Sequence, residues 1–511
     1  MDVLTAAEIR AVEETENAIG TNYYDLMEKA GTACANHIIK EFPKEDGPVV
    51  CVTGRGKNGG DGFVIARKLK DAGYRVSLIL AFGAPAAEDA VKNYGLAVKD
   101  GIQILDYTQT PETARRAMGS ANVVVDAIFG IGFHGAANEE QAEIFDYISQ
   151  CDGNVVAIDV PSGVDTDTGA VHGSAVYADI TYAITTRKPA HVFYPARGCC
   201  GRIEVLDIGI LPESFRAASP RLMVLEPDEV IQLLPLRSVT SHKNDFGHVL
   251  SICGSMRMPG AACMCANAAI RSGAGLVTAA FPQKAYPAVS SHVTEGMMVP
   301  LPDTPDGMVS INALNMLHFY MQRATTLVMG CGLGQSSEVR AVVTDVLQHA
   351  ECPVVLDADG LNAVAQNPAV LASVKGEVII TPHPGEMSRL LNAPVPDILN
   401  NRVAAASEFA KRYKVTVLLK GPDTVVASYL TDKIYVNITG NQGLAKGGSG
   451  DTLSGIIAAL VAQGMNPFYA AACGAWIHGH AADYAAKTLS YRGMAASDLI
   501  AALPFILKEF E

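Results

Sequence analysis

Transfer of a phosphoryl group to a hydroxyl needs backbone donors around the developing charge and a carboxylate to take the hydroxyl proton. The run NQGLAKGGSGDT, residues 441–452, offers both. Amides of Gly448, Ser449, Gly450 and Asp451 stand at the start of an apolar helical stretch, LSGIIAAL, where an anion is favoured, and Asp451 supplies the carboxylate. No GxxxxGK[ST] run occurs, so this is not a P-loop. The alternative is a structural glycine turn capped by Asp451. Four further loops carry complementary groups: Gly330 to Gly334, Asp357 with Asp359, Thr381 to Glu386, and Lys420-Gly421-Pro422-Asp423-Thr424. Lys420 and the amides after it suit nucleotide phosphates, while Glu386 and the two aspartates suit magnesium through water. His383, between Pro382 and Pro384, is a rigid ligand contact or a turn residue.

The first half carries different chemistry. The β-branched run VVCVT leads into Gly54-Arg55-Gly56-Lys57-Asn58-Gly59-Gly60-Asp61-Gly62 and then FVIARKLK, a GxGxxG spacing that lets amides approach a phosphate. A dinucleotide dehydrogenase also needs an acidic residue after the next strand to hold the ribose, but RVSLILAFG ends in Ala81 and Phe82, which disfavours hydride transfer. Two later loops, Asp126 to Gly135 and Asp159 to Asp165, follow apolar strands, where open α/β sheets bind ligands. Asn58, Asp126 and Ser162 offer oxygen atoms that suit a hard cation, and Asp159 could exchange protons with a ligand. Turn capping is the plain alternative for either aspartate.

A chain of 511 residues, 49% hydrophobic and 18% charged, has the apolar surface for two domains and is not globally disordered. Short apolar runs at 49–53, 76–80, 123–127 and 155–158 alternate with helical stretches, and 249–253, 327–329, 354–356, 378–381 and 415–419 repeat the pattern. That alternation predicts α/β domains with parallel sheets. Thr5 and Glu8 form a capping box for an opening helix whose apolar stripe runs through Ile9, Val12 and Ile19 to a stop at Gly20. Periodicity is lost from Gly198 to Pro220, which places the domain boundary there. Lys and Arg number 39 against 53 Asp and Glu, net −14, which argues against nucleic-acid or anionic-membrane partners. The start has no secretory signal pattern and no apolar run is of membrane-spanning length, so the expected location is the cytoplasm. Eleven cysteines without CxxC pairing read as reduced core thiols, with neither disulfides nor a zinc site.

The segments GRGKNGGDG, DAIFGIGFHG and DVPSGVD, in this order over residues 1–218, resemble the epimerase domain of the bifunctional NAD(P)H-hydrate repair enzymes, a Rossmann-like three-layer α/β/α fold. By that resemblance Lys57, Asn58, Gly59, Gly60, Asp61, Gly130, Ile131, Gly132, Phe133, His134 and Asp159 contact the hydrated nucleotide, Asp159 is catalytic, and Asn58, Asp126 and Ser162 hold a potassium ion. The family usually has two asparagines where this chain has Lys57 and Asn58. Residues 224–511, with Ser241-His242-Lys243, Gly260-Ala261-Ala262 and Arg271 to Gly275 beside the loops above, resemble the dehydratase domain of the same enzymes, on a ribokinase-like fold. Carried over, Ala262, Gly332, Gly334, His383 and the catalytic Asp451 line the hydrate site, Lys420 to Thr424 with Gly450 surround the nucleotide, and Glu386 helps place magnesium. The resemblance implies NADHX and NADPHX as substrates, ADP converted to AMP and phosphate, and a homo-oligomer. A rival is a ribokinase-like kinase of a small vitamin-precursor alcohol fused to a non-catalytic nucleotide-binding domain.

Overall fold

The computed structural model describes residues 1–511. They form two compact units, Met1–Leu222 and Met223–Glu511.

In the first unit seven parallel strands lie in the spatial order Gln103–Asp106, Val76–Leu80, Val49–Thr53, Val123–Ala127, Asn154–Ile158, Ile180–Ile184, Arg202–Leu206. Successive side chains of a strand point to opposite faces, so both faces of these apolar runs must be covered. Val49, Cys51, Val123 and Val125 pack with Ile38, Phe63 and Leu69 from the helices Tyr23–Glu41 and Lys57–Asp71. Val50, Val52 and Val124 pack with Met118, Ile144 and Phe145 from Pro111–Gly119 and Glu139–Ser149 on the other side. The chain leaves Val49–Thr53 toward one edge of the sheet and returns at Val123–Ala127 to build the other. Between those two strands the following loops diverge and open a crevice at their carboxyl ends.

Three strands of this sheet, Gln103–Asp106, Ile180–Ile184 and Arg202–Leu206, were not apparent as apolar runs. The last lies within the stretch expected to be irregular; its RIEVL alternates polar and apolar as an edge strand does. The opening helix Ala6–Ile19 has the expected Thr5 and Glu8 capping box and ends at Gly20. Its inner stripe, however, is Ile9, Val12 and Glu16, whereas Ile19 is exposed. Glu16 tolerates burial because its Oε2 accepts from the Leu211 N–H at 3.0 Å and the Ser214 hydroxyl at 2.7 Å.

In the second unit the spatial order is Thr431–Val436, Val425–Ser428, Thr416–Leu419, Val378–Ile380, Val354–Leu356, Thr326–Met329, His248–Ile252, Leu276–Pro282, Met297–Leu301. Only Val425–Ser428 runs antiparallel to both neighbours. The helices Pro259–Arg271, Ser449–Ala462 and Pro467–Ala485 join Val249, Val277, Val328, Val355 and Leu418 in one continuous core. No helix in the chain is long and apolar enough to cross a membrane.

Close helix packing positions the loop at Gly448. A Cβ on Gly455 would enter the Cys265 carbonyl oxygen of the facing helix and stand 2.9 Å from the Ala268 Cβ. Alanine in a helix interior normally gains about 1 kcal/mol over glycine, but here the two helices would have to separate. Gly455→Ala should therefore lower stability by about 1–3 kcal/mol. Denaturant unfolding checks this; a stabilised variant would show that the helices have slack.

Candidate active sites

In the first unit the helix Lys57–Asp71 starts inside the glycine run, so Gly59, Gly60 and Gly62 belong to its first turns and not to a loop before it. They serve packing: a Cβ on Gly59 would overlap the Gly54 carbonyl, one on Gly60 would strike Met27, and one on Gly62 would lie 2.7 Å from both Ala127 and Thr53. Gly54 itself faces the Ile128 carbonyl with no room for a side chain. The first intrahelical bond is Gly60 N–H to Gly56 O, 3.2 Å, which leaves the amides of Lys57 to Gly59 at the open helix end.

A cavity of about 640 Å³ opens there, lined by Glu13, Lys57, Asn58, Asp61, Asp159 and Lys188 and by Gly130 to Phe133. Asp159 follows the strand Asn154–Ile158 with φ of 67°, a left-handed conformation costly for a residue with a Cβ. Its Oδ1 accepts from the buried Lys188 ammonium and from the Ile184 N–H at 3.1 Å. Lys188 also donates to Ile184 O at 2.6 Å, and its N–H donates to His191 Nδ1 at 3.0 Å. The other ring nitrogen of His191 therefore carries the hydrogen and donates to Asp159 O at 2.8 Å. Burial, then Lys188, holds the His191 ring well below its usual range, so it stays neutral. Burial pushes the Glu13 and Asp61 carboxyls up, with Asp159 adding to both.

Behind this cavity Asp126 is fully buried and accepts from the Ser162 hydroxyl at 2.6 Å, the Ser162 N–H at 2.8 Å and the Ile128 N–H at 3.2 Å. Burial still pushes its carboxyl up to about 6. Asn58 has a buried side-chain nitrogen without a partner. A buried carboxylate without a compensating cation, beside the Ser162 hydroxyl oxygen, has the hard oxygen donors that fit a monovalent cation.

In the second unit the amide-rich turn is the start of the helix Ser449–Ala462, capped by Gly448 with φ of 95°. Asp451 is half-buried in its first turn; burial, then Asp357, pushes its carboxyl up to about 7. Asp357 is buried, with Oδ1 accepting from Lys420 Nζ at 2.9 Å and Oδ2 from the Ser454 hydroxyl at 2.8 Å. Burial alone would lower the Lys420 ammonium, but Asp357 and Glu386 outweigh it and hold it up. Glu386 Oε2 stands 3.8 Å from Lys420 and accepts from the His383 N–H at 2.8 Å. The position of a Cβ on Gly450 would be 3.4 Å from Lys420 Nζ, so this glycine keeps the helix end open to the lysine. His383 Nδ1 accepts from the Gly385 N–H at 3.0 Å, which leaves the other ring nitrogen as a donor on an exposed ring. A carboxylate cluster of Asp357, Glu386 and Asp451 around a lysine fits a magnesium-bound polyphosphate.

Residues 249–505 match the family model described as NAD(P)H-hydrate dehydratase, and residues 23–190 match that of the YjeF-related protein N-terminus. The bifunctional NAD(P)H-hydrate repair enzyme of Moorella thermoacetica is 38% identical over 491 residues, covering 95% of this chain and 92% of that relative. The chain belongs to the family of bifunctional NAD(P)H-hydrate repair enzymes. A hypothetical protein of Streptococcus mutans matches in structure with TM-score 0.50 and 27% identity, over 56% of this chain and 99% of its own. An ADP/ATP-dependent NAD(P)H-hydrate dehydratase from Bacillus subtilis, co-crystallised with ATP and Mg2+, gives TM-score 0.49 and 32% identity over 56% of this chain and 97% of its own. Both units are α/β folds, the first Rossmann-like and the second ribokinase-like, and membership of this family disfavours the kinase alternative.

Against the residues this family suggests, several side chains lie elsewhere than expected. His134 is exposed beyond the cavity lining, its Nδ1 3.2 Å from Asp165. Gly59 and Gly60, in the first turn of the helix, are buried and do not line the cavity. The Asp423 carboxylate faces buried Arg402 at 3.2 Å, and Arg402 donates to the carbonyls of Leu419 and Lys420, so this pair straps the Lys420 turn from behind. Asp359 turns from Asp357 and accepts the Gly334 N–H at 2.8 Å. Lys57, by contrast, lines the cavity as expected, reaching toward Glu13 at 4.0 Å and over the Tyr23 ring at 4.3 Å. Lys188, His191 and Glu13 were missed; recognising ITYAI as a strand would have put Thr185 to Lys188 at the carboxyl edge of the sheet.

Removing one partner of a buried ion pair costs about 3–5 kcal/mol, because the other charge is left unpaired. Asp159→Ala should therefore destabilise the protein by about that amount, and Asp159→Ala with Lys188→Met by clearly less. Thermal unfolding of the two variants checks the order; equal losses would show that the pair is not coupled.

Proposed function

We propose that this chain repairs hydrated NADH and NADPH, with epimerisation in the first unit and nucleotide-driven dehydration in the second. The hydroxyl of the hydrate sits on carbon 6, next to the ring nitrogen. Protonated, it leaves as water under push from the nitrogen lone pair, and water returns to either face of the planar cation. Asp159, lining the cavity against Lys188, is the group that gives and takes that proton. The amides of Lys57 and Asn58 suit the nucleotide's phosphates, and Gly130 to Phe133 form the wall against the ring. Asn58, Asp126 and Ser162 would hold potassium, which supplies positive charge behind the substrate.

In the second unit Asp451 takes the proton of the same hydroxyl as its oxygen attacks the β-phosphoryl of ADP, releasing AMP. The phosphate ester then leaves carbon 6 by the push of the ring nitrogen, and loss of a carbon 5 proton restores the dihydropyridine. Lys420 and the amides of Gly450 and Asp451 neutralise charge on the migrating group. Magnesium, placed from Glu386 and Asp357, would shield the diphosphate. Ala262, Gly332, Gly334 and His383 are assigned to the hydrate. The proposal includes a cytoplasmic homo-oligomer without nucleic-acid or membrane partners, in keeping with a net charge of −14.

The observation that carries this reading is Asp451: a carboxyl held near 7 at a helix end rich in free amides, beside a lysine bound to Asp357. With mixed hydrates, ADP and magnesium, Asp451→Asn should lose about 10²- to 10⁴-fold of dehydration while R and S hydrates still interconvert. Reduced-cofactor absorbance returning at the wild-type rate would reject the assignment. A base works deprotonated, so dehydration should climb with pH up to about 7 and fall roughly tenfold per unit below it. A rate independent of pH between 5 and 7 would remove Asp451 as the base.

A further inference from the structure

The second unit holds a cluster that the proposed dehydration does not use. Cys253 follows the strand His248–Ile252, Cys265 lies on the helix Pro259–Arg271, and Cys331 follows the strand Thr326–Met329. Their three sulfurs all lie within 4.8 Å of one another, and all three residues are buried. The sequence separates them by twelve and sixty-six positions, so no pairing motif announces them. All eleven cysteines are free. Three elements deliver these sulfurs to one point, and the backbone fixes two of them, since Gly254 N–H donates to Cys331 O at 2.7 Å. Cys331 sits between Gly330 and Gly332, with φ of 125° and 65°, in a turn where neither glycine has room for a side chain. The Ser251 hydroxyl points at Cys265 Sγ, 3.6 Å away.

Three thiolates around one ion at about 2.3 Å stand about 3.7–4.0 Å apart, so closing this cluster needs shifts of about an ångström or less. The three ligands include neither a carboxylate nor an imidazole, which selects soft thiophilic cations over magnesium or calcium. We propose that Cys253, Cys265 and Cys331 form a three-thiolate site for a d¹⁰ cation of the zinc, copper(I) and cadmium class. Binding exchanges the thiol protons for the metal, with no change in oxidation state. The site also reaches the dehydratase crevice. The Cys331 turn carries Gly332 and Gly334, both held at positive φ and assigned to the hydrate. Drawing Cys331 onto a metal shifts that turn, so an occupied site slows dehydration. This second consequence rests on the role proposed for that turn; the binding does not.

The test uses the full-length reduced protein titrated with Cd2+, whose thiolate bonds give an ultraviolet charge-transfer band. The expected result is one Cd2+ per chain, with three thiols withdrawn from reaction with a thiol reagent. Dehydration should slow as the band grows and recover on chelation, while epimerisation holds. Cys265→Ser should weaken Cd2+ binding by more than the roughly 10- to 100-fold that loss of an outer partner costs. No band, or a band undiminished in Cys265→Ser, would overturn the site, whatever the dehydratase activity. If that variant does not fold, the wild-type titration still decides: less than one Cd2+ per chain, or a band weaker than three thiolate bonds give, would overturn the site. A metal-loaded enzyme that dehydrates at the full rate would keep the site and overturn its link to dehydration.

Discussion

A lysine ammonium withdrawn from water must be met by a carboxylate, and both crevices are organised around such a pair. In the first unit buried Lys188 meets Asp159; in the second, Lys420 meets Asp357. Each aspartate follows a parallel strand, and each crevice has an uncommon positive φ, at Asp159 itself and at Ala358 after Asp357. Such conformations are costly, and they persist because the surrounding contacts fix them. The pairs set the chemistry on either side. Lys188 holds one carboxylate against the cavity, while Asp357, engaged by Lys420 and Ser454, raises the proton affinity of Asp451 nearby.

Glycine is the second recurring device, and it acts mainly by removing bulk. At Gly54 and Gly59 backbone meets backbone with no space for a Cβ, which brings the Ile128 loop and the first helix turn together. At Gly455 the same economy seats one helix on another, and so sets where the Gly448 turn points. Anion-binding amides at a helix start are therefore a consequence of close packing as much as of the glycines' own flexibility.

Much of the sheet framework was legible in the chain. Buried parallel strands are continuous apolar runs, and Val49–Thr53, Val76–Leu80, Val123–Ala127 and Val354–Leu356 fall where those runs stand. A strand with polar positions, Arg202–Leu206, was hidden because an edge leaves some residues wet. Ile19 and Glu16 exchanged their expected places for a related reason: two hydrogen bonds made burying a carboxylate tolerable, and periodicity cannot foresee them.

The local order of residues determined which loops follow strands, which turns are rich in amides, and which carboxylates stand beside them. Asp126, Asp159, Asp357 and Asp451 were all visible on those terms. Tertiary structure alone decided their partners, because a side chain's protonation and direction depend on groups far away in the chain. Lys188 reaches Asp159 across twenty-nine residues and Lys420 reaches Asp357 across sixty-three, while Asp423 turns back to Arg402. The three clustered thiols make the same point, since only the packing of a helix on two strand ends brings their sulfurs together.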